Sequence, residues 1–294
     1  KGKPATVFLE PDFHKYTEAS NEIVAIARKH VPLVQQASID EMYLDLSFSK
    51  TYEQAEKIAK KIKEEIREKE RLTCSVGISP NKLISKIASD MKKPDGLTIV
   101  RPEYVEKFLE PLGIRKIPGI GPKTEEFLLK KGVRIAADLK KFSKKELEEM
   151  LGKWGLDLYE KVRGHDDSPI IEKREIKSIG SQETFEKDTL DSNLIISRLK
   201  VLAGEVILNF KKEEEFKNFR RVVITVRFAD FETKTRSRTL SAIGRPALGW
   251  KEPADSLETL QFEALNLLMP FFDKRENPKG KKLRLIGVRI EELN

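Results

Sequence analysis

Two adjacent carboxylates, Asp40 and Glu41, are the side chains in this sequence best suited to metal chemistry. Downstream of the pair, over residues 42–46, apolar and polar residues alternate as in a half-buried strand. Ile39, just upstream, has the wrong parity for that pattern, which predicts a turn or bulge at the pair. At such a turn the two carboxylates converge and suit a hard divalent cation such as Mg²⁺. The alternative is an acidic hairpin tip that is merely solvated.

Composition limits the classes of protein to consider. The chain has 294 residues, a net charge of +8 and a pI near 9.2, which favour two or three domains and a polyanionic partner. Its 35% charged and 39% hydrophobic content excludes collagen-like and low-complexity classes. The single cysteine, Cys74, excludes an internal disulfide and fits a reducing cytoplasm. No apolar run reaches membrane-spanning length.

The first hundred residues predict an α/β layer with the acidic hairpin at its centre. The expected strands cover 5–9, 72–78 and 97–100, and the expected helices cover 12–29 and 52–69. A third helix is predicted to begin after Ser79 as N-cap, with Pro80 at its first position. The charged run 60–71 is interpreted as the solvated back of the second helix.

A glycine-rich turn between two short helical patterns comes next. Gly119 and Gly121 flank an isoleucine directly before a predicted helix at 122–131, which is the pattern of a helix-hairpin-helix. The glycines, the first N–H groups of that helix, Lys123 and Thr124 are predicted to bind DNA backbone phosphate. The alternative is an ordinary turn between helices. Trp154 is interpreted as a core residue rather than a stacking platform.

Residues 169–177 are predicted to form a linker, and residues 178–294 a β-α-β-β-α-β domain of ferredoxin-like order. Two helices should cover one face of its sheet, so the strand arginines are expected largely on the open face, facing DNA phosphates. Cross-strand ion pairing is the alternative, but Asp230 and Glu232 are too few to balance the arginines. The residues predicted to bind DNA are Arg236, Arg238, Arg284 and Arg289.

These segments resemble the Y-family (translesion) DNA polymerases of the DinB, or DNA polymerase IV, type. Residues 38–45 are similar to the family's second catalytic motif, and residues 75–82 and 88–96 are similar to its late palm motif. The helix-hairpin-helix resembles its thumb, and the C-terminal domain resembles its little finger. The resemblance covers essentially the whole chain and implies an α+β fold. The implied division is a partial palm at 1–100, a thumb at 101–168, a linker at 169–177 and a little finger at 178–294.

The resemblance also implies roles for individual residues. Asp40 and Glu41 would hold two Mg²⁺ ions, Lys93 would contact the triphosphate of a dNTP, and Ser38 would help orient the hairpin. Lys86 and Asp90 would support these groups. The implied activity is template-directed, low-fidelity nucleotidyl transfer to a primer 3′-hydroxyl, with bypass of DNA damage. The implied partners are primer-template DNA, a dNTP and a candidate sliding clamp, with the protein a cytoplasmic monomer.

One departure from the family pattern concerns the third metal-binding carboxylate, which the family takes from the first palm strand. Nothing before Asp40 resembles that motif, and Asp12, at a helix start, is a poor substitute. We therefore expect the chain alone to bind DNA and to extend primers weakly or not at all. Two other classes stay open. One is a DNA glycosylase using Lys123 and Asp138, and the other is a DNA-binding protein without catalysis.

Overall fold

The computed structural model describes residues 6–240 and 256–294, which belong to two compact units at 1–174 and 175–294. The chain is mixed α and β in both units, as expected. Within the described residues, no helix combines the length and apolarity needed to cross a bilayer.

The part of the first unit that carries the acidic pair consists of helices around two small sheets. Strands β1 and β2 pair antiparallel, and strands β3 and β4 pair parallel in a separate sheet. The prediction of a single α/β layer with the hairpin at its centre was therefore wrong, because the strands form two separate sheets. The elements are α1 (Phe13–His30), β1 (Val34–Gln36), β2 (Met42–Leu44), α2 (Tyr52–Glu70), β3 (Val76–Ile78), α3 (Lys82–Ser89) and β4 (Leu97–Ile99).

Two local predictions in this region are corrected. Residues 6–9 form no strand, and Phe8 is 92% exposed. Asn81, rather than Ser79, caps α3, because its side chain accepts from the N–H of Ile84. The Ser79 hydroxyl instead donates to the carbonyl of Asn81. The prediction from Ser79 and Pro80 therefore placed the start of the helix two residues too early.

The helical part of the first unit shares a core with α3. Leu83, Ile84 and Ile87 of α3 pack in one cluster with buried residues from the helices that follow. Residues 136–151 form two helices, because α6 ends before Ser143 caps α7. The elements are α4 (Val105–Leu109), α5 (Pro122–Lys130), α6 (Ala136–Leu139), α7 (Lys144–Leu151) and α8 (Lys153–Lys161), with short 3₁₀ turns at Pro102–Tyr104 and Ile114–Lys116.

The second unit has the predicted β-α-β-β-α-β order. Its four-stranded sheet is antiparallel throughout, in the order β5-β8-β6-β7. Helices α9 and α10 bury one face over a cluster that includes Phe219, Phe228 and Phe271. The elements are β5 (Ser178–Thr189), α9 (Ser192–Lys212), β6 (Phe219–Phe228), β7 (Thr233–Thr239), α10 (Leu257–Leu268), a 3₁₀ turn at Met269–Phe272 and β8 (Leu283–Leu293).

Candidate active site and nucleic-acid interface

The chain reverses direction at the acidic pair. Gln36 pairs with Met42 at the end of the β1–β2 hairpin, so Asp40 and Glu41 lie in the connection. The N–H groups of Ala37 and Ser38 both donate to the carbonyl of Glu41, at 2.9 and 3.1 Å. The turn predicted from the change in parity is therefore confirmed.

Ser38 holds Asp40 at the tip of the hairpin. Its hydroxyl donates to Asp40 Oδ1 at 2.6 Å and accepts from the Asp40 N–H at 3.3 Å. This closed pair of hydrogen bonds limits the rotamers of the Asp40 side chain, which is otherwise exposed. The contacts agree with the orienting role that the resemblance implied for Ser38.

Helix α3 brings alternating charges to the other acid of the pair. Lys86 Nζ contacts Glu41 Oε1 and lies 3.7 Å from Asp90 Oδ2, and Asp90 Oδ1 contacts Lys93 Nζ at 2.6 Å. Burial alone would lower the pKa of Lys86, but the hydrogen bond and charge of Glu41 raise it above its ordinary value. Lys93 is thus linked to the hairpin through two intervening charged groups.

Tyr43 of β2 lies next to this line of charges. Burial raises the pKa of its phenol, and the nearby charge of Glu41 raises it further. Lys82 Nζ lies 5.0 Å from the centre of the Tyr43 ring. Tyr43 therefore stays neutral at physiological pH.

The oxygen donors of Asp40 and Glu41 fit a hard divalent cation. Mg²⁺ in proteins is commonly bound by one or two carboxylates, with the other positions taken by water and substrate phosphate. Among residues 6–240 and 256–294, no cluster of three or more His, Cys, Asp or Glu could hold a metal ion. The described residues thus offer this pair as a partial ligand set, balanced by Lys86.

Helix α2 contributes two basic residues that the sequence assigned to a solvated surface. Lys63 and Arg67 both contact the carboxylate of Asp95, in the turn that follows Lys93. The Lys63 side chain is only 14% exposed. The interpretation of the run 60–71 as a solvated back was therefore wrong for Lys63, whereas Arg67 is exposed, as that interpretation expects.

The glycine-rich turn of the helix-hairpin-helix has a backbone conformation that requires glycine at Gly119. Gly119 has a φ of 101°, and an added Cβ would lie 3.1 Å from Trp154 Nε1, so only glycine fits there without strain. Gly121 is the N-cap of α5 and provides no side-chain acceptor for the first N–H groups. An added Cβ at Gly121 would meet only Arg115, at 3.8 Å. The N-terminus of α5, with Lys123 and Thr124 in its first turn, is therefore open to an anion.

Asp138, the acid required by the glycosylase alternative, caps a helix. Its Oδ2 accepts from the N–H groups of Arg134 and Ile135, at 3.0 and 3.2 Å, and its Oδ1 contacts Lys141. These hydrogen bonds, that from Lys141 first, lower the pKa of Asp138 to about 2. A carboxylate held in this way is a poor general base, so Asp138 does not fit the catalytic role that the glycosylase alternative requires.

The face of the second-unit sheet opposite α9 and α10 is lined mainly by small and hydroxyl side chains. Strand register places Arg289 on this face, between Gly180 and Val223. Arg221 and Arg227 lie on the same face of β6. The remaining residues of this open face are Ser178, Gln182, Thr184, Thr225, Thr233, Thr235, Ser237, Thr239, Leu285, Gly287 and Glu291.

Arg236 and Arg238 lie on the opposite, helix-covered face, contrary to expectation. They pair across β7 with Ile224 and Val222, whose side chains are in the core. Arg238 contacts Glu263 of α10 at 2.9 Å, and Arg236 contacts Glu276. The open-face placement was wrong because the register of β7 on β6, rather than composition, decides which face its basic residues occupy.

The other two arginines also have acidic partners. Arg284 lies at an irregularity of β8, 3.4 Å from Asp188 and 4.7 Å from the centre of the Phe231 ring. Arg289 contacts Glu291 at 2.7 Å. The argument that acids were too few was therefore wrong, since it counted only Asp230 and Glu232, whereas Glu291 lies in the same strand as Arg289 and Asp188 is 96 residues from Arg284.

The first residues of the predicted linker pack on the first unit. Lys82 Nζ donates to the carbonyl of Pro169 at 3.0 Å, and the N–H of Ile171 donates to Gln35 at 3.1 Å. Arg28 pairs with Glu172 at 3.2 Å. The start of this segment is therefore held by α1, β1 and α3.

Comparison with known sequence families gives three matches along the chain. Residues 1–90 match the impB/mucB/samB family, and residues 176–294 match the C-terminal domain of the same family. Residues 115–166 match the thumb domain of DNA polymerase iota.

Curated relatives and solved structures agree with these matches. DNA polymerase IV of Methanoculleus marisnigri is 39% identical over 99% of this chain and 76% of its own length. DNA polymerase IV 2 of Methanosarcina mazei is 39% identical over 99% of this chain and 74% of its own. A Y-family DNA polymerase chimera of Dbh and Dpo4 has a TM-score of 0.79 at 28% identity, over 99% of this chain and 79% of that chain. An insertion ternary complex of Dbh DNA polymerase has a TM-score of 0.63 at 28% identity, over 99% and 79%.

Proposed function

The chain belongs to the Y-family of DNA polymerases, of the DNA polymerase IV (DinB) type, and we propose how its residues serve nucleotide transfer from a dNTP to a primer 3′-hydroxyl. The reaction is template-directed and depends on a divalent metal. The observation that carries the proposal is the turn at Asp40 and Glu41, where Glu41 also forms an ion pair with Lys86. Damage bypass follows from the translesion class to which the family belongs.

We assign metal binding in this chain to Asp40 and Glu41, with two Mg²⁺ ions as the proposed cofactor. Divalent ions bound by such carboxylates stabilise charge on the attacking and leaving oxygens of phosphoryl transfer. Ser38 keeps the Asp40 carboxylate oriented, and Lys86 balances the negative charge of Glu41. Both contacts lower the cost of holding two carboxylates next to each other in the sequence.

Lys93 is the proposed contact for the triphosphate. Its side chain is 58% exposed, and its ammonium group lies 2.6 Å from Asp90, which keeps it on the side of α3 that carries Lys86. A triphosphate oxygen is a stronger partner for an ammonium group than one exposed carboxylate, because the phosphate chain carries more charge. Lys93 can therefore exchange Asp90 for the nucleotide while Asp90 keeps its contact with Lys86.

The helix-hairpin-helix is the first proposed DNA contact. Gly119 and Gly121 bring backbone close to a phosphate, and the open first turn of α5 supplies N–H groups from Lys123 and Thr124. Such contacts hold the duplex without reading its sequence. This suits an enzyme that must work on any template.

The open face of the second-unit sheet is the second proposed DNA contact. Its small side chains let backbone and hydroxyl groups approach phosphates, and Arg221, Arg227 and Arg289 supply positive charge. Arg284 lies at its margin, held by Asp188. For Arg236 and Arg238, DNA binding would require leaving Glu276 and Glu263, so we propose a supporting role for them.

The proposed division of the chain into domains follows that of the family. We propose a partial palm at 1–100, a thumb at 101–168, a linker at 169–177 and a little finger at 178–294. We also propose a monomer that works in the cytoplasm, where the lone Cys74 stays reduced. A sliding clamp is a further candidate partner, to be tested by co-elution with the purified chain.

Primer extension tests the proposed function. Wild-type chain, Asp40→Asn and the matched surface variant Asp157→Asn are compared on a primed template with Mg²⁺ and dNTPs. Weak extension is expected from this chain, because its described residues bring only two carboxylates to the hairpin. Asp40→Asn should abolish that extension and keep DNA affinity, whereas Asp157→Asn should change neither.

A second readout does not depend on turnover. With a dideoxy-terminated primer, wild type should retain the next correct dNTP in a metal-dependent complex, and Asp40→Asn should not. Equal dNTP retention by both proteins would refute the assignment and favour a DNA-binding protein without catalysis.

A further inference from the structure

The turn that follows Lys93 is unusually tight for the side chains it holds. Asp95 has a φ of 60°, in the left-handed region that non-glycine residues rarely adopt. At Gly96, an added Cβ would lie 2.5 Å from Lys92 Cβ, so the chain folds directly back on the residue before Lys93. A backbone held in this way needs contacts from outside the turn.

Lys63 of α2 provides those contacts. Its Nζ donates to Asp95 Oδ1 at 2.6 Å and to the Asp95 carbonyl at 3.1 Å, and it lies 3.5 Å from the Gly96 carbonyl. It also contacts the carbonyl of Cys74, in the segment that leads into β3. One ammonium group thus joins the segments that lead into β3 and β4 to α2.

Arg67 lies one helical turn after Lys63 and contacts the other carboxylate oxygen of Asp95. It is 60% exposed, against 14% for Lys63, so Lys63 is the more enclosed of the two cations. The hydrogen bond from Lys63, followed by the charges of both cations, lowers the pKa of Asp95 below its ordinary value, although burial opposes the shift. Asp95 is therefore an anion throughout the neutral range.

We propose that Lys63 is a positioning residue for nucleotide binding, acting through the Asp95–Gly96 turn to fix the backbone from which Lys93 reaches the triphosphate. The inference rests on the proposed role of Lys93. Lys93 has one ion pair and an exposed side chain, so its position depends on where its backbone is held. Loss of Lys63 would remove the donor that the Cys74 and Asp95 carbonyls and the Asp95 carboxylate share, and the turn would loosen.

The test uses Lys63→Met, which keeps the length of the side chain and removes its donors. Lys61→Met is the matched control, since Lys61 lies on the exposed side of the same helix. Lys63→Arg should rescue, because guanidinium retains both charge and donors. Thermal melting shows that each variant is folded.

The first readout is hydrogen exchange at the amides of residues 95–97. Lys63→Met should accelerate exchange there relative to wild type, whereas Lys61→Met and Lys63→Arg should not. Unchanged exchange in Lys63→Met would overturn the proposal directly, whatever the role of Lys93.

The second readout is the Kd of the correct dNTP for the chain bound to a dideoxy-terminated primer-template. We expect Lys63→Met to raise this Kd about tenfold, because displacing a binding group by a fraction of an ångström can weaken binding by that factor. Lys93→Met should raise it at least as much, and the double variant should be no worse than Lys93→Met. Additive effects would mean that Lys63 does not act through Lys93. No effect of Lys93→Met, together with faster exchange in Lys63→Met, would instead refute the nucleotide role of Lys93.

Discussion

Gly77→Ala should displace helix α3 and thereby test how the fold places Lys86 and Lys93. Gly77 lies in β3, where α3 packs on it without space for a side chain. An added Cβ would lie 2.7 Å from the Ser89 N–H nitrogen and 2.9 Å from Ala88 Cβ, and closer still to the Ser85 carbonyl. Since such atoms normally stay about 3.5 Å apart, α3 must move outward by about 1 Å.

The cost of that movement can be estimated from overpacking. Forcing extra volume into a packed core costs about 3 kcal/mol at the upper end of the usual range. For a unit of this size, that corresponds to a fall in melting temperature of about 6–12 °C. A shift of about 1 Å in groups that bind substrate can lower kcat/KM or dNTP affinity by about a hundredfold.

Gly113→Ala is the matched control. Gly113 lies in the same unit, has a φ of −58° and has no atom within 4 Å of an added Cβ. Alanine fits that backbone and should leave stability unchanged or raise it by about 0.4–1 kcal/mol. Circular dichroism melts and dNTP titrations of both variants give the comparison. Equal melting temperatures for the two variants would refute the close packing of α3 on β3.

Three further outcomes follow from the structure. Gly119→Ala should weaken DNA binding more than Gly132→Ala, because both have positive φ but only Gly119 lies against Trp154; fluorescence anisotropy with duplex DNA measures this. Arg289→Ala should reduce the slope of log affinity against log salt by about 1, whereas Arg238→Ala should keep that slope and lower the melting temperature, since it strands the buried Glu263. Asp138, with its pKa lowered from 3.8 to about 2, stabilises the fold above pH 3.8 and loses that effect as pH falls toward 2. Asp138→Asn should therefore melt below wild type at pH 6 and equal it near pH 2.

Local patterns in the sequence were sufficient for several features. The parity change at Ile39 predicted the hairpin turn, and Gly119 with Gly121 predicted the turn before α5. Each of these signals lies within a few residues of the feature it predicts. The β-α-β-β-α-β order likewise followed from periodicity that switches between strand and helix along residues 178–294.

Local patterns did not predict how residues far apart in the sequence pair with one another. Alternation in β7 places Arg236 and Arg238 on one face together, but only pairing with β6 shows that this face is the covered one. Their partners, Glu263 and Glu276, are 25 and 40 residues away. Sequence gives no register at that separation, so the ion pairs could not be predicted.

The same reason explains why Lys63 was missed. It lies in a helical run of Lys and Glu whose members look alike in sequence, and its partner Asp95 is 32 residues away. A helical wheel places Lys63 next to the apolar stripe rather than opposite it, which was the available signal. Burial and hydrogen bonding, rather than composition, separate it from its exposed neighbours.

Binding of Mn²⁺, followed by electron paramagnetic resonance, tests the assignment of the acidic hairpin most directly. The protein is bound to a dideoxy-terminated primer-template with the correct dNTP, and the variants are Asp40→Asn, Glu41→Gln and the control Asp157→Asn. Either hairpin variant should weaken Mn²⁺ binding at least tenfold, while the control binds as wild type does. Equal Mn²⁺ affinity in all four proteins would show that the two neighbouring carboxylates do not hold the metal.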